Sequence, residues 1–265
     1  MYDFNYHRPA NVDAAVALRA GAAEAVYLAG GMTLIPTLKQ RLASPSDLID
    51  LGALAALATI ETNAGKVTIG AMARHAEVAA SKAVRTAIPA LAYLAEQIGD
   101  AQVRNRGTLG GSLANSDPAA DYPAAVLALG ATIQTNRRTI AADDYFKDLF
   151  ETALAPGELI LSVAFPVPTR AAYRKFPNPA SRYAVVGVFV ADFTGAIRVG
   201  ATGAGPCAFR PRGIEAALNK SLDPAGVDAA PLDHSRFNSD MHASAEYRAN
   251  LVRVMTRRAV AALAE

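Results

Sequence analysis

The run Asp100–Pro123, DAQVRNRGTLGGSLANSDPAADYP, constrains this chain more than any other stretch. It holds the glycines Gly107, Gly110 and Gly111 and the small hydroxyl or amide side chains Asn105, Thr108, Ser112, Asn115 and Ser116, with no run of large apolar residues. Glycines this close together let backbone N–H groups line one concavity, because a residue without Cβ adopts φ > 0 and lets a ligand approach the main chain. A second cluster, Ala29-Gly30-Gly31-Met32-Thr33, follows the strand-like AVYLA and precedes LIPTLKQRLA, whose leucines at 34, 38 and 42 have helical spacing. The order strand, double glycine, hydroxyl, helix presents backbone donors to an anion. One Gly-Gly more often marks only a tight turn. Two such clusters together point to a ligand with two adjacent phosphates, gripped from both sides.

Composition narrows the class. At 265 residues and 52% hydrophobic, the chain buries enough for two domains or three small ones. With 26 basic and 24 acidic residues it carries no electrostatic footprint for nucleic acid or an acidic membrane. The single cysteine, Cys207, excludes intrachain disulfides and an iron–sulfur cluster held by this chain alone, and it fits a reducing cytoplasm. MYDFNYHRPA lacks the apolar core of a signal peptide, and charges or prolines interrupt the apolar runs, so a soluble protein without a membrane span is expected. His7, His75, His234 and His242 are scattered, so no metal site is expected.

Read in order, Asn11 caps a helix over VDAAVALRA, a strand covers 25–29, a helix covers 34–42 and DLIDL (47–51) is a strand. LATIET and KVTIGA form a hairpin around Asn63-Ala64-Gly65. Helices follow at 74–80 and 89–98, the second opened by Pro89 and ended by Gly99, and a short helix at DYPAAVLALG comes after the glycine stretch. ATIQTN and RRTIAA make a second hairpin, and ELILSVAFPV is another strand. The Pro/Arg-rich 166–182 reads as a crossing between domains. Beyond it lie a hairpin around Thr194-Gly195, a helix opened by Pro211, a loop over 221–236 and a long final helix with arginines 248, 253, 257 and 258 mostly off its apolar face.

Familiar catalytic motifs do not fit. GxxxxGK[ST] and GxSxG are absent. Gly203-Ala204-Gly205-Pro206-Cys207-Ala208 matches GxGxxA, but Pro206 and the distance to Pro211 spoil the strand–turn–helix geometry, so it reads as a loop. Asp143-Asp144 reads as a solvated turn. Asp121, just before a helix, either accepts hydrogen bonds from a ribose or ribityl hydroxyl or serves only the helix dipole; its position leaves both open.

AGGMTLIPTLKQRL (29–42) and RNRGTLGGSLANSDPAADYPAAVLALGA (104–131) resemble the two nucleotide-binding motifs of the FAD-binding medium subunit of molybdenum hydroxylases. This is the group of aerobic carbon monoxide dehydrogenase and bacterial xanthine dehydrogenase. SDMHASAEYRANLVRVMTRRAVAAL (239–263) is similar to the end of the same subunit. The resemblance implies an α+β fold: a two-part FAD-binding domain of the p-cresol methylhydroxylase and vanillyl-alcohol oxidase type over 1–168, with subdomains of about 1–55 and 56–168, and a smaller α+β domain over 169–265. It implies that Ala29, Gly30, Gly31, Met32 and Thr33 on one side, and Thr108, Leu109, Gly110, Gly111 and Ser112 on the other, wrap the FAD pyrophosphate. It makes Asp121 a ligand of the sugar-alcohol region, Ile160 an apolar neighbour of the cofactor and Lys175 a lysine near the flavin. Tyr183 falls where one branch lays an aromatic ring against the isoalloxazine, although a plain edge or core tyrosine fits that strand position as well. Ser112 departs from the asparagine often found there. Neither motif contains histidine or cysteine, so FAD is expected to be non-covalent.

The resemblance further implies an oxidoreductase subunit without an acid–base catalyst of its own. It would take electrons from [2Fe–2S] clusters on a small subunit, fed by a molybdenum cofactor on a large subunit, in a dimer of heterotrimers, and pass them to an external acceptor. The alternatives are a stand-alone FAD-dependent oxidoreductase of the same fold and a non-catalytic nucleotide-binding protein.

Overall fold

The computed structural model describes residues 1–263; the last two positions of the expected 169–265 domain lie outside it. The chain opens with β1 (Asn5–His7), α1 (Val12–Gly21), β2 (Val26–Leu28), α2 (Leu34–Lys39) and β3 (Asp47–Asp50). The three strands form one sheet in the order β1-β3-β2, with both pairs parallel. Asn11 caps α1, its side chain accepting from the Ala14 N–H at 2.8 Å. Helix α2 is shorter than the leucine spacing predicts: Arg41 takes φ of 60°, which breaks the helix and leaves Leu42 exposed.

A hairpin then joins β4 (Ile60–Asn63) to β5 (Lys66–Gly70), with positive φ at both Ala64 and Gly65, the turn that matches strand twist. Five helices follow: α3 (His75–Ala80), α4 (Lys82–Ala87), α5 (Pro89–Glu96), α6 (Ala101–Arg104) and α7 (Leu109–Asn115). Of these, α4 and α6 escape the sequence pattern because each is little more than a turn or two. The glycine run Gly107–Gly111 enters a helix rather than forming an open loop. Helix α8 (Tyr122–Ala128) is buried at every position, which its unbroken apolar sequence requires. Next come β6 (Thr132–Thr135), β7 (Thr139–Ala141), α9 (Ala142–Tyr145), the small hairpin β8 (Phe146–Asp148) and β9 (Glu151–Thr152), and β10 (Ile160–Pro166). The antiparallel sheet runs β4-β5-β10-β6-β7, with β10 at its centre. Asp143 is not simply solvated: it accepts from Arg198 at 3.1 Å and from Arg210 at 2.9 Å.

The last part holds β11 (Arg170–Pro177), β12 (Ala184–Asp192), β13 (Ile197–Thr202), α10 (Arg212–Lys220) and α11 (Ala245–Ala262). The segment 166–182 is thus no crossing: its prolines bracket strand β11, which pairs antiparallel with β12 along its whole length. Strand β12 is buried at all nine positions because both sheet faces are covered. Val186, Val188 and Val190 join the core that contains Leu251, Met255 and Ala259 of α11. Phe189 and Ala191 instead join the core of the preceding part, with α8. Two arginines expected on the open face of α11 turn inward or fold back. Arg248 is buried and donates to the Val185 and Gly203 carbonyls at 2.8 Å each, while Arg253 donates to the carbonyls of Val227, Asp228 and Ala230. Among the described residues no helix is long and apolar enough to cross a membrane.

Candidate cofactor site

The two glycine segments meet. A Cβ on Gly30 would lie 2.1 Å from the Arg106 carbonyl oxygen, so backbone packs directly on backbone there. The second segment is held from behind by residues 71–75: the His75 N–H donates to the Gly107 carbonyl at 3.0 Å, Leu109 N–H to Ala73 at 3.0 Å and Gly110 N–H to Ala71 at 2.8 Å. Thr108 then caps α7, its hydroxyl accepting from the Gly111 N–H at 3.1 Å. Thr33, at the start of α2, makes no such capping bond with its side chain.

Between the segments opens a cavity of about 530 Å³, within the range of small-molecule and cofactor sites. Ala29, Gly30, Gly31, Met32 and Thr33 line one side; Thr108, Gly110, Gly111 and Ser112 line the other. A Cβ on Gly111 would fall 2.9 Å from the Thr108 hydroxyl and 3.7 Å from the Ala29 Cβ, so an added side chain would fill the gap between them. Asp121, Ile160 and the half-exposed Tyr183 complete the wall. Leu109 is fully buried behind the lining, and Lys175 stands behind Asp121 rather than at the surface of the cavity.

Asp121 is buried at 4% exposure, with the Lys175 ammonium 2.9 Å from Oδ1 and 3.1 Å from Oδ2. Tyr173 donates its hydroxyl to Oδ1 at 2.5 Å, and Lys175 also donates to the Gln97 carbonyl at 3.1 Å. Burial pushes the Asp121 carboxyl up, opposed by the Lys175 charge and the Tyr173 hydrogen bond. The same burial, with the Asp121 charge beside it, pushes the Tyr173 phenol well above its ordinary value.

The sequence reading missed His75 and Glu158, both of which line the cavity. His75 is buried beside Gly107 with Nδ1 unpartnered, and burial together with the Arg104 charge pulls it down to about 4, so the ring is neutral at pH 7. Glu158 is held at about 2, chiefly by the paired hydrogen bonds from Arg138 at 3.1 and 3.0 Å. Neither has a local sequence signal, since each becomes a wall residue only through contacts with distant segments. Among the described residues no cluster of His, Cys, Asp or Glu is placed to hold a metal.

A cleft with a backbone-lined cradle, an apolar wall and one buried carboxylate suits a dinucleotide that carries phosphates, a polyol and a flat ring system. Residues 2–168 match the family described as the FAD binding domain in molybdopterin dehydrogenase. The nicotine 6-hydroxylase medium subunit of Paenarthrobacter nicotinovorans is 36% identical, over 96% of this chain and 95% of its own length. The carbon monoxide dehydrogenase medium chain of Afipia carboxidovorans is 35% identical, over 97% and 95%. In the solved structure of reconstituted CO dehydrogenase from Oligotropha carboxidovorans, one chain superimposes with a TM-score of 0.90 at 32% identity, covering 99% of this chain and 98% of that one. Fold and cleft together thus define an FAD-binding oxidoreductase component of α+β architecture. The chain belongs to the medium subunits of the molybdenum hydroxylases, which work within multi-subunit complexes.

Proposed function

We propose that the cavity holds FAD non-covalently, with its pyrophosphate between Ala29–Thr33 and Thr108–Ser112. The observation that carries this is the direct backbone contact of Gly30 with Arg106, which turns two separate glycine segments into one cradle. Main-chain N–H groups and the hydroxyls of Thr33 and Ser112 serve the phosphates, while Thr108 shapes the turn they stand on. Leu109 anchors that turn in the core. Asp121 accepts from the sugar-alcohol hydroxyls, Lys175 keeps Asp121 charged, Ile160 excludes water and Tyr183 offers an aromatic face to the ring system.

When bound, FAD supplies electron acceptance from [2Fe–2S] clusters and delivery to an external acceptor. The chain's own work is to bind, orient and exclude water. It acts beside a large molybdenum-cofactor subunit and a small iron–sulfur subunit, in a dimer of heterotrimers in the cytoplasm. The lone Cys207 supports this division, because clusters need ligands that another chain must provide. FAD binding falls to 1–168, in subdomains of about 1–55 and 56–168, and 169–265 forms the second domain, whose Tyr173 and Phe189 pack into the first.

The visible absorption spectrum of the purified chain, followed by acid release of the pigment, tests this reading. Released FAD that is reduced only when partner subunits and substrate are added supports it. Reduction by substrate with the chain alone replaces it with a self-sufficient flavoenzyme. A colourless chain that takes up no added FAD overturns it.

A further inference from the structure

The buried carboxylate of the cavity wall is held by a residue that no sequence motif marks. Tyr173 lies on β11, fully buried, and its ring runs beneath β12 at the one point where that strand has no side chain. A Cβ on Gly187 would sit 2.4 Å from the Tyr173 hydroxyl oxygen and 3.1 Å from its ring carbon Cζ. The space that glycine leaves is therefore the space the phenol occupies. The hydroxyl emerges from it to donate to Asp121 Oδ1 at 2.5 Å. A buried phenol whose only outlet is one carboxylate oxygen fixes that carboxylate's rotamer, because leaving either group unpaired inside the protein is costly.

We propose that Tyr173 is a positioning residue for the cofactor: admitted by Gly187, it sets the orientation in which Asp121 meets the sugar-alcohol portion of FAD. The inference rests on the FAD reading of the cavity. Lys175 supplies charge to the same carboxylate and reaches both oxygens, at 2.9 and 3.1 Å, whereas the Tyr173 hydroxyl bonds Oδ1 alone and so tells the two oxygens apart. The pair Tyr173–Asp121 also ties β11 of the C-terminal part to the N-terminus of α8. Ordering of the cofactor site and docking of the two parts therefore share one contact.

The test compares the purified chain with Y173F, G187A and the double variant, reading FAD dissociation constant, flavin circular dichroism and the pH at which half the flavin is released. Y173F keeps the ring that fills the slot and removes only the hydroxyl, while Asp121 keeps its Lys175 partner, so about tenfold weaker FAD binding is expected with a smaller fall in the unfolding midpoint than G187A causes. The half-release pH should move upward, because a hydrogen bond to the ionised Asp121 is lost and its carboxyl takes up a proton more readily. The charged or titratable neighbours are Lys175 on β11, Tyr122 on α8, Asp117 before it, Tyr183 in the wall and Tyr93 on α5. His75, its ring tilted against that of Tyr122 with centroids 5.4 Å apart, is pulled down to about 4 by burial and the Arg104 charge. All are common to both proteins, so the difference between Y173F and the parent isolates Asp121. G187A should lose FAD more severely than Y173F, and adding Y173F to it should restore part of the loss by removing the oxygen that clashes. If the parent binds FAD and Y173F matches it in affinity, dichroism and release pH, the positioning role is wrong while the cavity assignment stands. If the parent binds no FAD, the cavity reading itself fails.

Discussion

In the segment Ala29–Thr33 the backbone turns through Gly31 at φ of +74°, a conformation that a side chain strains. In Gly107–Ser112 none of the three glycines lies in the left-handed region. There the absence of Cβ serves close packing: Gly110 runs over Ala71, where an added Cβ would sit 2.6 Å from the Ala71 side chain and 2.8 Å from its carbonyl oxygen. One segment needs glycine for its dihedral angle, the other for its thickness. Similar-looking clusters therefore fail differently when substituted, and Gly30, which belongs to the first by sequence, behaves by contact like the second.

That contrast orders the expected effects. G30A pushes a methyl into the Arg106 carbonyl, with backbone on both sides and nothing flexible to yield, so it should cost more than about 3 kcal/mol and release the flavin. Urea unfolding and flavin content check it, and a stable, yellow G30A would mean that the two segments do not rely on their contact. Next in size is the acid response of the second segment. His75, beside Gly107, has a folded value of about 4 against an ordinary 6.5, so the unfolded chain binds the extra proton first. Stability should therefore fall by up to about 3 kcal/mol as pH drops from 6.5 toward 4. H75Q should flatten that slope in urea midpoints measured across the range. Glu158 acts in a separate window: its depressed value of about 2 contributes stability that is complete above about 4.5 and is lost only below it. G31A should cost roughly 1.5 kcal/mol, mostly through its dihedral angle, since the atoms an added Cβ would meet, Ile35 Cγ1 at 2.9 Å and Leu28 Cδ1 at 3.3 Å, belong to side chains and not to backbone. T108A removes the cap on Gly111 and should cost about 1 kcal/mol. If G31A proved as damaging as G30A, the distinction between angle and thickness would be lost.

Much of the fold was legible from local pattern. Both hairpin turns around Ala64-Gly65 and Thr194-Gly195, the cap at Asn11, and the helix opened by Pro89 are set by residues within a few positions of one another. The misreadings share a cause in longer range. Prolines at 166, 168, 177 and 179 made 166–182 resemble a linker, yet the prolines stand at the ends of β11 and pairing with β12 decides the middle. Arg248 looked like a surface charge on an amphipathic helix. It is buried because the Val185 and Gly203 carbonyls, on other elements, need donors.

By itself the sequence determined where the backbone is glycine-rich, which residues turn and cap, that Cys207 stands alone, and, through its two motifs, the family. Only the tertiary structure decided that Gly30 touches Arg106, that His75 and Glu158 face the same cavity, and that Asp121 is gripped by Tyr173 through the gap at Gly187. The reason is physical. Turns and caps are settled by steric preferences and hydrogen bonds between near neighbours, whereas a close approach or a buried ion pair depends on which distant segments exclude water from each other. No spacing along the chain encodes that.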